Sequence, residues 1–129
     1  MRPRMRIRQL LSAKLHGGTV TQCDLHYEGS CGLGADLLEA AGILPLEKVS
    51  VLNVTTGGRL ETYAIRSPAP GEISLNGAAA RHASVGDKVI ILTYAGVPEN
   101  ELPEHQARIV ILGPKNSIAS QRTERAFLS

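Results

Sequence analysis

The sequence predicts a mainly β domain whose strands close into a barrel, with only short helices. Three observations carry this. Six or so short apolar or β-branched runs recur along 129 residues, bounded by Gly, Pro or Asn-Gly. Only one run has helix-forming composition for more than a turn. An open sheet of such short strands would leave edges unpaired, and closure removes them. The length is that of one domain, and no repeat or composition break divides residues 1–129.

The elements follow in order. Met5 to Leu11 reads as the start of a strand, with a break at Gly17-Gly18, and Thr19-Val20-Thr21 is β-branched and strand-like. From Asp36 the run Leu37-Leu38-Glu39-Ala40-Ala41 makes a two-turn helix, ended by Gly42 as a left-handed cap. Lys48 to Val54 alternates imperfectly as a strand, turns at Thr56-Gly57-Gly58 and returns through Leu60 to Ile65 as a hairpin. Pro68, Pro70 and Gly71 form a rigid loop into the strand Glu72-Ile73-Ser74-Leu75. Asn76-Gly77 is a turn, and Ala78-Ala79-Ala80 opens a single helical turn. After the turn Val85-Gly86-Asp87 come the strand Lys88 to Tyr94, a loop over Pro98 to Glu104, and a last strand, Ala107 to Leu112. Residues from about 113 to 129 read as a polar, loosely held tail.

Composition narrows the function. Apolar content of 43% and charge of 20% fit a folded protein, and one Phe with no Trp implies an aliphatic core. Runs such as Val89-Ile90-Ile91-Leu92 are too short to span a bilayer, and the N-terminus lacks the apolar region of a signal peptide. Net charge is +2. Arg2, Arg4, Arg6 and Arg8 alternate, which reads as a solvated strand face with Met5 and Ile7 pointing the other way. There is no second basic patch and no nucleic-acid motif. Cys23 and Cys31 read as free thiols in a reducing, cytoplasmic compartment, with Cys31 a small buried hydrophobe. The four histidines have no ligand-like spacing, so no metal site is expected.

One stretch organises the rest: Asp24-Leu25-His26-Tyr27-Glu28-Gly29-Ser30-Cys31. With Lys14-Leu15-His16 upstream and Asn76-Gly77-Ala78-Ala79-Ala80 downstream, it resembles the pyruvoyl-dependent aspartate 1-decarboxylase family, closely over the first ninety-five residues or so and loosely beyond. The resemblance implies a six-stranded double-psi β-barrel assembled as a homotetramer. It implies self-cleavage between Gly29 and Ser30, giving chains 1–29 and 30–129. It implies decarboxylation of L-aspartate to β-alanine for pantothenate synthesis, through a Schiff base on a pyruvoyl group made from Ser30, with neither metal nor pyridoxal phosphate. Whether maturation needs a partner is left open.

The chemistry asks particular things of these residues. Ser30 Oγ attacks the Gly29 carbonyl, an N-to-O acyl shift leaves an ester, and β-elimination frees the Gly29 carboxylate. The resulting dehydroalanine hydrolyses to the pyruvoyl group and ammonia. Glycine at 29 permits unusual dihedrals and presents no Cβ to the attack. The oxyanion needs a donor, which the resemblance assigns to Thr62. The ketone condenses with the substrate amine, and its conjugated carbonyl is the electron sink as carbon dioxide leaves. By resemblance, Arg59 and Lys14 hold the substrate's charge, Tyr63 returns the proton to the α-carbon, and Tyr27 lines the pocket. Asn76 and the amides of Gly77, Ala78 and Ala79 can cradle a carboxylate or the pyruvoyl oxygen. His16 and His26 fall near the pocket without a proton-transfer role, and His82 and His105 read as surface or packing residues.

Two departures stand out. Gly17-Gly18 occupies a place where many members carry an arginine and a bulky residue, so a looser loop is expected there. Gly34 replaces a more usual acidic residue ahead of the helix, leaving the cap to Asp36. The alternatives are the same chemistry on a longer acid such as glutamate, or a barrel that never matures and serves a binding or structural role. Arg59 is read on the side-chain carboxylate, the α-carboxylate being the runner-up.

Overall fold

In the computed structural model, which describes residues 5–127, the chain forms β1 (Ile7–Thr19), β2 (Gln22–Asp24), β3 (Ser30–Gly34), α1 (Ala35–Ala41), β4 (Lys48–Asn53), β5 (Arg59–Ser67), β6 (Ile73–Asn76), β7 (Lys88–Pro98), β8 (Gln106–Leu112) and β9 (Ile118–Arg125). Arg2 and Arg4 lie outside the described residues. Short 3-10 segments occupy Gly77–His82, Glu99–Glu104 and Pro114–Asn116. The fold is mainly β, as expected, but the strand count is a correction. Among the described residues nine strands join one sheet in the order β2-β6-β3-β5-β4-β7-β1-β8-β9, and no ladder joins β2 to β9 to close it.

Several elements lie where expected. The helix ends at Gly42, whose φ of 72° gives the left-handed cap and whose N–H returns to Leu38 and Glu39. The β4–β5 hairpin pairs Leu52 with Arg59 and Lys48 with Tyr63. The differences have physical reasons. Gly17-Gly18 does not break β1. Gly17 adopts φ 80° at a bulge in the β1–β7 ladder, so the extra residue is absorbed and the strand runs on to Thr19. The stretch from residue 113 is not a loose tail. Its Ile118–Arg125 strand pairs antiparallel with β8 from Ile118 to Arg125. Almost all of it is exposed, so no apolar alternation announces it; backbone pairing holds it, with Ile118 packed against the core at one end. Asp36 does not cap the helix: Gly34 is the N-cap, and Asp36 instead accepts the Gly71 N–H at 3.1 Å. Met5 and Ile7 are not turned inward, being 72% and 63% exposed.

The core is aliphatic. Leu15, Leu33, Leu37, Val49, Val51, Ile73, Leu75, Val89, Ile91 and Val110 are buried in one cluster drawn from six strands and α1. Each such side chain contributes roughly 1.5–3 kcal/mol by leaving water. Cys31 is fully buried among them, and burial pushes its thiol up to about 12, which suits the reading of it as a small hydrophobe. Both cysteines are free.

Asn116 ties distant parts together. It is fully buried with φ 57°, accepts the Thr19 N–H at 2.8 Å, and donates to the carbonyls of Thr19 (2.9 Å) and Gly71 (2.7 Å). Those bonds join the end of β1 to the loop that launches β6. Asn116→Ala leaves these backbone groups without partners in the interior, an expected loss of about 2–4 kcal/mol. Equilibrium urea unfolding checks it; a change under 1 kcal/mol would refute the role.

Candidate active site

β3 begins at Ser30, where the chain enters the core from the exposed turn 25–29. The Ser30 side is flanked by β6 antiparallel, with Ser30 opposite Asn76, and by β5 parallel, with Cys31 opposite Ala64. The β3–β5 ladder begins at this pair, and Thr62 and Tyr63 are the two residues of β5 that precede it.

Ser30 is 1% exposed, and its hydroxyl oxygen accepts a hydrogen bond from Asn76 Nδ2 at 3.2 Å. The same amide donates to Ser74 Oγ at 3.4 Å. Ser74 was not anticipated from sequence. Its signal was present in Ile73-Ser74-Leu75-Asn76, where two polar residues alternate with two apolar ones, so the polar pair shares one face of the strand. All four are buried.

The residue after Asn76 is Gly77, at φ 62°. A Cβ there would lie 2.7 Å from Gly29 Cα, 2.9 Å from Gly29 N and 3.0 Å from the Tyr27 carbonyl oxygen. Only glycine lets the 76–79 backbone come this close to residue 29. Ala79 is buried and Ala78 exposed within the same 3-10 segment. Tyr27, 55% exposed, joins Asp24, Gly32, Arg66, Ser74 and Asn76 around a cleft of about 160 Å³. Arg66 is a second residue that sequence reading missed.

Lys14 and Arg59 are not brought to Ser30 within the chain. In β5, Arg59, Glu61 and Tyr63 are exposed while alternate residues turn inward. Arg59 stands four residues before Tyr63, about 13 Å along the strand, farther than a guanidinium reaches. It lines a different cleft, of about 620 Å³, with Ser50, Leu52, Leu60, Glu61, Leu92 and Tyr94. Lys14 belongs to that outer face: it pairs with Leu92, Leu92 with Ser50, and Ser50 with Glu61, one row across four strands. From β3 to β1 is four strand spacings, about 19 Å along the sheet. Glu61 is already bound to Lys48 at 3.2 Å, and neither Arg59 nor Lys14 forms an ion pair among the described residues. Two uncommitted cations on a face holding Tyr94 and Tyr63 can receive an anion.

Of the histidines, His105 packs, its Nε2 lying 2.7 Å from the Leu11 carbonyl oxygen, while His16, His26 and His82 are exposed. No group of three or more His, Cys, Asp or Glu among the described residues is arranged to hold a metal. No helix among them is long and apolar enough to cross a membrane.

Comparison with known proteins bears on this arrangement directly. Residues 5–119 match the family described as aspartate decarboxylase. The chain belongs to that family. It is 54% identical over 113 residues to an aspartate 1-decarboxylase of Hyphomonas neptunium, covering 87% of this chain and 96% of that one. It is 53% identical over 116 residues to that of Methylibium petroleiphilum (89% and 97%), and 48% identical over 116 to that of Bordetella pertussis (89% and 95%).

Gly77→Ala tests the close approach to Gly29. The added methyl must displace residue 29 or the 76–79 backbone, and a displacement of an ångström lowers rates about a hundredfold. Aspartate decarboxylation is expected to fall by that order while the thermal midpoint moves by a few degrees only. Parental activity would show that the gap is not needed.

Proposed function

We propose that this chain decarboxylates L-aspartate to β-alanine and carbon dioxide, using a pyruvoyl group that it makes from its own Ser30. Family membership supports the reaction, and the observation that carries the second half is the Asn76 hydrogen bond to the buried Ser30 hydroxyl. Ser30 is buried where the exposed 25–29 turn ends, its hydroxyl is fixed by Asn76, and a Cβ at residue 77 would collide with Gly29. That geometry fits an intramolecular attack of Ser30 Oγ on the Gly29 carbonyl, because the nucleophile is held beside it. Thr62, two residues before the Ala64 that pairs with Cys31, is the proposed oxyanion donor. The products are chains 1–29 and 30–129, joined by pairing rather than covalently.

Once formed, the pyruvoyl group supplies a ketone for the substrate amine and an electron sink for the departing carboxylate. The residues present fit it: Asn76 and the amides of 77–79 offer donors to its oxygens, and Tyr27 walls the cleft. Tyr63, adjacent to the Ala64 that pairs with Cys31, is the proposed proton donor to the α-carbon.

Lys14 and Arg59 project from the outer face, so we assign them to the site of an adjoining protomer in a homotetramer. The exposed Tyr94 and Tyr63 and the partnerless cations of that face support this reading. The double-psi arrangement is proposed for the strands around the core. β1 and β3 each have one antiparallel and one parallel neighbour, which supports it. A cytoplasmic location and a role in supplying pantothenate synthesis belong to the same proposal.

Arg59 is assigned to the side-chain carboxylate. The α-carboxylate disperses its charge into neutral carbon dioxide, so a cation clamped there would favour the ground state over the transition state. The other carboxylate persists unchanged and can be gripped bidentately at no such cost.

Intact mass distinguishes one chain from two, and Ser30→Ala is expected to leave one chain with no decarboxylation. A cleaved Ser30→Ala protein would overturn the assignment of the nucleophile. In protein first shown to be matured, Arg59→Lys is expected to lose about a hundredfold or more on aspartate and little on alanine. Equal fractional loss on both would move Arg59 to the α-carboxylate.

A further inference from the structure

Asn53, at the end of β4, is 5% exposed and takes no part in the chemistry described above. Every polar atom it has is engaged. Its N–H donates to the Gly58 carbonyl at 2.8 Å and its carbonyl accepts the Gly57 N–H at 2.7 Å. Its Oδ1 accepts the Thr56 N–H at 3.1 Å. Its Nδ2 donates to the His82 carbonyl at 3.2 Å and to Asp87 Oδ2 at 2.9 Å. The first three bonds shape the turn 54–58. The last two leave the hairpin altogether and reach the segment that follows Gly77–His82.

We propose that Asn53 and Asp87 form a positioning latch, fixing the turn that launches Arg59 against the 82–87 segment of the same chain, so that the guanidinium is presented to an adjoining protomer's site in one direction. This rests on the assignment of Arg59 to the substrate carboxylate in that site.

The far side of the latch is as well anchored as the near side. Asp87 Oδ2 also accepts the Ser84 N–H at 2.9 Å, closing the 84–87 turn together with Asp87 N–H to the Ser84 carbonyl at 3.0 Å. The Asp87 carbonyl accepts the Val20 N–H at 2.9 Å, tying the same turn to the chain just after β1. The hydrogen bond from Asn53, then that from Ser84, lowers the Asp87 carboxyl below its ordinary value, so it is ionised at neutral pH and the bonds are charge-assisted. Thr55 adds a strut, its hydroxyl accepting the Lys88 N–H at 2.9 Å.

An amide is the one neutral side chain of this size that accepts on one atom and donates twice from another. Aspartate at 53 would face the Asp87 carboxylate and the His82 carbonyl with an acceptor. Leucine would strand all three partners. Arg59 is the first residue of β5, opposite Leu52, so its direction is inherited from the turn that Asn53 shapes. Turn residues 54–57 are exposed and have no packing of their own to hold them. Without the latch the guanidinium samples a wider range of directions from the outer face, and binding of the carboxylate suffers before the chemical step does.

The test uses the full, matured enzyme. Asn53→Ala, Asp87→Ala, Asp87→Asn and Arg59→Ala are compared for KM and kcat on aspartate, with thermal midpoints measured alongside. Both latch alanine variants are expected to raise KM about tenfold with kcat changed less than threefold, and the double variant to be no worse than either alone. Asp87→Asn is expected to restore KM to within about twofold, because its Oδ1 can accept the same two N–H groups. Should Asn53→Ala fail to fold, the half-exposed Asp87 pair of variants carries the test. If Arg59→Ala abolishes binding while the latch variants lower only the thermal midpoint, the latch is overturned and the Arg59 assignment stands. If Arg59→Ala leaves KM unchanged, the Arg59 assignment falls and the latch with it.

Discussion

There is no room for a carbon atom between residue 77 and residue 29. A side chain at 77 would stand 2.7 Å from the Gly29 Cα, and the backbone there already needs a φ of 62°. The site depends on this contact. It lets the 76–79 backbone lie beside residue 29, next to the Ser30–Asn76 pair that joins the two strands. Asn76 then meets the Ser30 hydroxyl in the interior, where a hydrogen bond is worth more than in water and an unmade one costs more. A weak nucleophile is given its chance by geometry, since no strong base is bonded to Ser30 Oγ.

The second constraint is electrostatic. The buried half of the site is polar but neutral: Ser30, Ser74, Asn76 and backbone amides. The cations proposed for it stand elsewhere, on the outer face of β1-β7-β4-β5, where desolvation costs them little. Separating the two halves lets the fold bury Ser30 without burying a guanidinium beside it. In the proposed assembly the charge would arrive only when another protomer is brought up. Lys48 and Glu61 neutralise each other at the rim, which leaves Arg59 free of internal competition for a carboxylate.

Much of this was legible in the residues, and the rest was hidden for identifiable reasons. Gly42 as a cap, the β4–β5 hairpin and the burial of Cys31 follow from local rules that need no partner. The Gly29-Ser30 context was legible because it is an unusual string in a specific neighbourhood. β9 was missed because a strand exposed on nearly every residue carries no apolar alternation, and β2 because three residues are too few for a period. The bulge at Gly17 read as a break, since glycine serves both ends. Asn53, Ser74 and Asn116 were unremarkable as letters, because a buried amide and an exposed one look alike until their partners, up to 97 positions away, are known. The separation of Lys14 and Arg59 from the Ser30 cleft was likewise invisible, because a motif names residues and not the faces of the sheet that carry them.

The strand that ends before the proposed cut lies deep in the sheet. β1 sits between β7 and β8, with Ala13 and Leu15 buried, and β2 is paired to β6. Severing the chain after residue 29 would therefore remove no packing and no ladder, and the short piece would stay where it folded. What changes is the way back. An intact chain keeps its own β1 at high effective concentration and recovers it by a unimolecular search. A severed one, once unfolded, must find it again from solution, so recovery becomes second order and falls with dilution. Such a protein is assembled once, as a precursor, and thereafter its lifetime is set by how slowly it opens rather than by how readily it re-forms.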